Sequence, residues 1–346
     1  MLQDELNNHL KTYRQTFSAK SEFGPTQSVT ENLSDVLKII NFFNPAWKEK
    51  NVNVIPGTHT QNYPFDSENE RWYLKIGQLP KNLYLHTDEW ISEEVREAGI
   101  LSTEIVLTDT SRRLVPFDFQ IQKGNAPTNL RSRQADDANF KSALNLAARE
   151  LRKIHQIHLS KFGHIDPTPF CSTQDVEPQG IFETWASFLK TRLDEHISYC
   201  FAIGAINAEE VGRINILKEQ FERLENFNPS LLHNDLSNTN ITIDRDNEKI
   251  GFLDWSDAIA GDPVFDLANF CSFHMPEYFK SIWSGYFEKT AMPSDFYHRF
   301  WLYYLRIALA KTVHRHRFKY KDNDKYPPAS RRIQIALERL LFKLAF

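Results

Sequence analysis

Cysteine is scarce and scattered: Cys171, Cys200 and Cys271 are odd in number, far apart and without any Cys-x-x-Cys spacing. That pattern offers neither a disulfide framework nor a zinc site, and it fits a reducing, cytoplasmic setting. No stretch approaches the ~18 uninterrupted apolar residues that a membrane span requires, so no membrane-embedded part is expected. Residues Met1 to Phe17 carry acids early and lack an apolar core followed by a small-residue cleavage site, so a secretory signal is not expected. A basic excess is missing as well. The formal net charge of −4 argues against nucleic acid as a partner, and the one basic run, His314 to Lys321, reads as a solvated helix end. Internal repeats and low-complexity tracts are not found, and nothing in the sequence indicates an oligomeric state.

What is present is the composition of a water-soluble globular protein, 41% hydrophobic and 25% charged. Single cores stop growing near ~250 residues, so 346 residues imply two lobes with a cleft between them. Ser28-Val29-Thr30-Glu31 has the form of a capping box, and Leu33, Val36, Leu37 and Ile40 follow at helical spacing. This helix reads as an extension, residues 1–45, packed on the first lobe. Short β-type runs come next: Asn51 to Ile55, Trp72 to Ile76, Ile105 to Leu107 and Val115 to Gln122. One helix, Thr87 to Ala98, interrupts them and stops at Gly99 in a C-terminal cap position. Lys123 to Asp137 reads as the connection between lobes. Beyond it the pattern is mainly helical, over Phe140 to His158, Gly180 to Tyr199, Ala208 to Leu224, Ser281 to Glu288, Phe296 to Arg317 and Arg331 onward, with a single β interruption between residues 241 and 253. The expected architecture is α+β and bilobal: a small, mostly antiparallel, β-rich N-lobe over residues 1–122 and a larger helical C-lobe over 123–346.

The β interruption carries the chemistry. His233-Asn234-Asp235-Leu236-Ser237-Asn238-Thr239-Asn240 is a polar loop feeding the alternating Ile241-Thr242-Ile243; a turn at Asp244 to Lys249 leads to Ile250-Gly251-Phe252-Leu253, ending at Asp254. A hairpin would bring Asn240 and Asp254 together across 14 positions. Phosphoryl transfer asks for an oriented acceptor hydroxyl and a neutralised triphosphate rather than covalent work by the protein. Asp235 can accept the hydroxyl proton, while Asn240 and Asp254 offer the hard oxygen ligands that Mg²⁺ prefers. The plainer alternative is a polar loop whose Asp235 and Asn240 merely cap turns.

The strand Arg71-Trp72-Tyr73-Leu74-Lys75-Ile76 supplies a cation. Alternation places Trp72, Leu74 and Ile76 on the core face and Lys75 with Tyr73 on the other. His155 and His158 share a helix with no third ligand apparent, and His314 and His316 lie on different sides of another, so neither pair reads as a metal site.

The stretch from Leu232 to Asn269, with Asp254-Trp255-Ser256-Asp257-Ala258 and Gly261-Asp262-Pro263-Val264-Phe265-Asp266-Leu267-Ala268, resembles the aminoglycoside phosphotransferases and their choline, homoserine and fructosamine kinase relatives. Within that group the Trp-Ser-acid-Ala run is most similar to the hygromycin phosphotransferases. The resemblance implies a protein-kinase-like fold and an enzyme that moves the γ-phosphate of ATP or GTP, with Mg²⁺, to a hydroxyl of a small molecule. An aminoglycoside-like antibiotic or sugar is the expected acceptor; a metabolite such as choline, homoserine or fructosamine is the alternative. By the same resemblance Asp235 is the base, Asn240 and Asp254 are the magnesium ligands, and His233 and Asp266 are scaffold for the loop. Ser237 departs from the histidine usual there. Lys75 would meet the phosphates, paired with an acid among Asp88, Glu89, Glu93 and Glu94, where counting back from Gly99 favours Asp88. The turn Pro56 to Asn62 would cover the phosphates through Thr58 or Thr60, having one glycine only, and backbone groups of Gln120 and Ile121 would meet the adenine edge. A cationic acceptor would want acids such as Asp257, Asp262, Glu277, Asp194 or Glu195. An inactive nucleotide-binding module is the reading from another class; such a module would be expected to lose Asp235, Asn240 or Asp254, and all three are present.

Overall fold

The structure, a computed structural model, describes residues 33–44, 55–56, 60–67, 70–77, 84–124, 128–133, 136–171, 177–224, 227–244, 249–320 and 327–342. The first lobe is built on a five-stranded antiparallel sheet. Its strands are β1 (Ile55–Pro56), β2 (Thr60–Ser67), β3 (Glu70–Gly77), β5 (Glu104–Asp109) and β6 (Phe119–Gly124), in the order β1-β2-β3-β6-β5. Alternation decides its faces: Trp72, Leu74, Ile76 and Ile121 point one way, and the apolar side of helix α1 (Leu33–Phe43) closes over them with Val36, Ile39 and Ile40. The expected packing of this helix on the first lobe is what the structure shows. Val115 and Phe117 are buried in that core without forming a strand. The chain turns through Arg112 at positive φ, and the Arg112 guanidinium clamps Asp118 at 2.7 and 2.9 Å before β6 begins.

Helix α2 (Tyr84–Glu97) crosses from one lobe to the other. Its buried positions Leu85, Asp88, Ile91, Ser92 and Val95 recur at helical spacing, and Ile91, Val95 and Ile100 belong to the core of the second lobe. Strand β4 (Leu101–Ser102) then pairs in parallel with β12 (Ile250–Phe252), which pairs with β11 (Ile241–Ile243), itself paired with β7 (Thr128–Asn129). The expected hairpin is therefore the centre of a four-stranded sheet with a strand from each side of the interlobe passage at its edges. Gly251 is a packing requirement here: a Cβ on it would lie 2.7 Å from Thr242 Oγ1 and 2.8 Å from Leu101 Cβ.

The rest of the second lobe is helical: α3 (Asp137–Ile154), α4 (Trp185–Lys190), α5 (Leu193–Ala202), α6 (Ala208–Lys218), α7 (Pro263–Cys271), α8 (Phe279–Tyr286), α9 (Phe296–Arg317) and α10 (Ala329–Phe342). Two expectations need correcting. A second four-stranded sheet, β10-β13-β8-β9, joins β8 (Phe162–Ile165), β9 (Gly180–Phe182), β10 (Ser230–Leu232) and β13 (Ile259–Gly261), so the β interruption is not single. The helix expected from Gly180 to Tyr199 is instead β9, α4 and α5, broken where Arg192 takes φ 56°. No helix among the described residues is long and apolar enough to cross a membrane.

Candidate active site

The loop 233–240 is suspended from α7. Asp266, fully buried, accepts the amides of His233 at 2.7 Å and Asn234 at 2.8 Å. His155 donates to the same carboxylate from Nε2 at 3.2 Å and meets the Tyr286 hydroxyl on Nδ1 at 2.8 Å. One turn further along α7, Asn269 accepts the Leu236 amide and donates to the Asn234 carbonyl. These bonds hold Asn234 at φ 62°, a left-handed conformation that Asn tolerates better than most residues. The His233 ring locks the far side: Nδ1 accepts the Asp235 amide, which leaves Nε2–H to donate to the Leu253 carbonyl at 2.9 Å. The ring also packs 4.5 Å from Trp255.

On this support Asp235 and Asn240 meet. Asn240 Nδ2 donates to the Asp235 carbonyl and to its Oδ2, each at 2.9 Å. The Leu253 amide donates to the Asn240 carbonyl at 2.8 Å, so the strand ends hold Asn240 next to Asp254. Asp254 stands at φ 64°, half exposed to the cleft. Its Oδ1 accepts Lys75 Nζ at 3.3 Å and the Ser256 hydroxyl at 2.9 Å. The ammonium of Lys75 is the main cause that holds this carboxyl below its usual range, against the opposing effect of burial.

Lys75 is buried in the cleft and bonded to Asp88 Oδ2 at 2.8 Å. Burial by itself lowers its pKa, but the Asp88 and Asp254 carboxylates outweigh that effect and hold the ammonium above its ordinary value. Of the four acids considered as its partner, Asp88 is the one, because it alone lies with Leu85, Ile91 and Val95 on the buried face. Its second oxygen accepts the Trp255 amide at 3.3 Å. A cavity of about 340 Å³ opens here between the lobes, walled by Tyr73, Lys75, Gln122, Thr242, Leu253 and Asp254 among others.

A second cavity, about 320 Å³, lies on the other side of the loop and is lined by Asn234, Asp235, Asp257, Arg192, Arg306 and Lys311, with apolar walls from Phe182, Phe188 and Ile307. Asp257 opens toward it. Desolvation in the cleft floor, with the charges of Asp235 and Asp254, pushes the Asp257 carboxyl up to about 7.

Asp235, Asn240, Asp254 and Lys75 thus converge as the sequence led one to expect. Gln120 and Ile121 do not join them. Both sit inside β6, paired with β3 on one side and β5 on the other, so their backbone groups have no open edge. The Gln120 amide instead donates to the Leu85 carbonyl at 2.6 Å and to Thr108, fixing α2 and hence Asp88. Thr58 lies outside the described residues. Among the acids considered for the acceptor, Asp262 is buried against Arg299 and Tyr303 as the cap of α7, while Asp194 bonds Lys218 and Glu195 bonds Arg192. The residue that sequence reasoning passed over is Lys311, which carried no motif and becomes visible only when α9 is folded against the loop.

Two lobes, a cleft with the buried Lys75–Asp88 ion pair, and a loop and ribbon presenting Asp, Asn and Asp define a protein-kinase-like fold. The model of the phosphotransferase enzyme family matches residues 52–299, most of the sequence, and the chain belongs to that family. Among solved structures, a thermostable form of the aminoglycoside phosphotransferase APH(4)-Ia without ligands has a TM-score of 0.64 at 17% identity, covering 87% of this chain and 98% of that one. A ternary complex of a thermostable form of that enzyme with ADP and hygromycin B has a TM-score of 0.65 at 16% identity, with coverage of 88% and 98%. A choline/ethanolamine kinase family protein from Mesorhizobium loti has a TM-score of 0.55 at 14% identity, with coverage of 89% and 94%. At such identities the likeness establishes the fold. No curated protein matches the sequence.

Proposed function

We propose that the chain transfers the γ-phosphoryl group of ATP or GTP to a hydroxyl of a small polar molecule, with Asp235 as the base. The observation that carries this reading is the placement of Asp235 in one cavity and of Lys75 and Asp254 in the other, with Asn240 bonded to Asp235 between them. Asn240 occupies Asp235 Oδ2, which leaves Oδ1 to receive the hydroxyl proton of the acceptor. Lys75, kept cationic by two carboxylates, faces the nucleotide phosphates. The backbone at Gly124, the end of β6, takes the place expected of Gln120 and Ile121 for the nucleotide base. Nucleotide binding is assigned mainly to the part up to residue 122, and catalysis and acceptor binding to 123–346.

Among the described residues, Asp254 Oδ2 and Asn240 Oδ1 accept no hydrogen bond. Two hard oxygens just beyond the paired strand ends fit Mg²⁺. When bound, the ion neutralises charge on the transferring phosphate. The protein's own part is to orient the hydroxyl, remove its proton at Asp235 and hold the donor phosphates at Lys75.

Asp235→Asn should lower turnover by roughly 10²–10⁴ while leaving nucleotide affinity nearly unchanged. Single-turnover assays with calorimetric nucleotide titration check this, and a variant turning over at the parent rate with the true acceptor would remove Asp235 from the base role. The first acceptors to test are the aminoglycoside-like and sugar alcohols that the family suggests, then choline, homoserine and fructosamine.

A further inference from the structure

We infer that the acceptor is an alcohol bearing an anionic group, a carboxylate or a phosphate, held by Lys311 and its basic neighbours while its hydroxyl reaches Asp235. This rests on the phosphoryl-transfer reading and narrows it to one class of acceptor.

The cavity beside Asp235 is walled by the cationic side chains of Arg306 and Lys311 and by Arg192, which is paired with Glu195 at 2.8 Å, together with two acids, Asp235 and Asp257, and three histidines. Of the acids that could have made it a receptor for a polycation, Asp262 is engaged in the fold, Asp194 bonds Lys218 at the surface, and Glu195 is taken up by Arg192. The carbonyls of Leu189 and Thr191 and the ring of His196 fix the Arg306 guanidinium in the wall.

Lys311 is the decisive group. Its ammonium lies 3.7 Å over the Phe273 ring, and among the described residues no carboxylate stands within ion-pair distance of it. Asp235 and Asp257 are near enough to act on it through space. Enclosure in the cavity wall still draws the half-buried ammonium down to about 8, with no carboxylate in contact among the described residues to offset the effect. An anion on the substrate would supply the missing charge, and the fixed distance from Lys311 to Asp235 would select which hydroxyl is presented. A polycationic acceptor would meet the like charge of Lys311 in the same wall.

The test is calorimetry at pH 7 with four matched probes, gluconate, glucose 6-phosphate, glucose and glucosamine, each titrated with the nucleotide site saturated by Mg-AMP-PNP. At least one anionic probe should bind about tenfold more tightly than glucose, the scale of a charge-assisted contact, with glucosamine weakest. Lys311→Met should erase that margin and Lys311→Arg should keep it. Comparing gluconate with glucose 6-phosphate separates a carboxylate receptor from a phosphate receptor. Anionic probes binding no better than glucose, glucosamine binding best, or Lys311→Met retaining the preference would each overturn the inference. Affinity for Mg-AMP-PNP and Mg-GMP-PNP on the same preparation reports separately on the phosphoryl-transfer reading, which falls if neither nucleotide binds.

Discussion

Lys75 and Lys311 stand on opposite sides of the same loop, and their surroundings push them in opposite directions. Lys75 touches Asp88 at 2.8 Å and Asp254 at 3.3 Å, and its ammonium is held above the ordinary range. Lys311 rests on an aromatic face with carboxylates only at a distance, and enclosure brings it down to about 8. Burial works against both charges; contact with an acid is what reverses the outcome. The first lysine is satisfied by the fold and can meet a ligand without losing its own partners, whereas the second has no carboxylate in contact among the described residues.

The largest test of this contrast is to make Lys75 resemble Lys311. Asp88→Asn leaves the buried ammonium with the half-exposed Asp254 alone, and breaking a buried pair this way should cost about 3–5 kcal/mol, read by urea denaturation, with a matching loss of nucleotide affinity. A smaller effect isolates the nucleotide side. Gly251→Val forces a side chain between Thr242 and Leu101, which should destabilise by about 1–3 kcal/mol and weaken nucleotide binding more than acceptor binding, as paired titrations would show. The smallest effects are in pH dependence. Below about pH 8 a folded-state Lys311 is charged at a penalty; between about 8 and 10.5 the unfolded chain binds the extra proton, so this group makes stability rise with pH. Asp257 does the reverse between 3.8 and about 7, where the folded state holds the proton and stability falls as pH rises. Lys311→Met should flatten the first slope and Asp257→Asn the second, measured as denaturation midpoints across pH; unchanged slopes would remove the electrostatic contrast.

The nucleotide side was far more legible in the sequence than the acceptor side, and for a physical reason. Asp235, Asn240 and Asp254 lie within 20 residues on a loop and hairpin whose register follows from local alternation, and Lys75 declares its face by the same rule. Asp88 could be favoured by spacing and is settled by its place on the buried face of α2. Gln120 and Ile121 were misplaced because a strand's own sequence does not reveal that β5 covers its second edge. Strands β8, β9, β10 and β13 escaped notice since each has three or four residues and pairs with distant partners. Arg192 gave no warning of a helix break, because nothing marks an arginine for a left-handed turn. The acceptor cavity collects residues from β9, α5, α7 and α9, and only tertiary packing brings those together.

Asp88 answers to both halves of the chain at once: Oδ2 takes a lysine from the sheet, and Oδ1 takes an amide at Trp255, 167 positions later. A chimaera joining this first lobe to a relative's second lobe would inherit one end of that link without the other. Such hybrids should assemble correctly only when Lys75, Asp88 and the Asp254-Trp255 step travel together, which makes the crossing itself, rather than either lobe, the unit that shuffling must preserve.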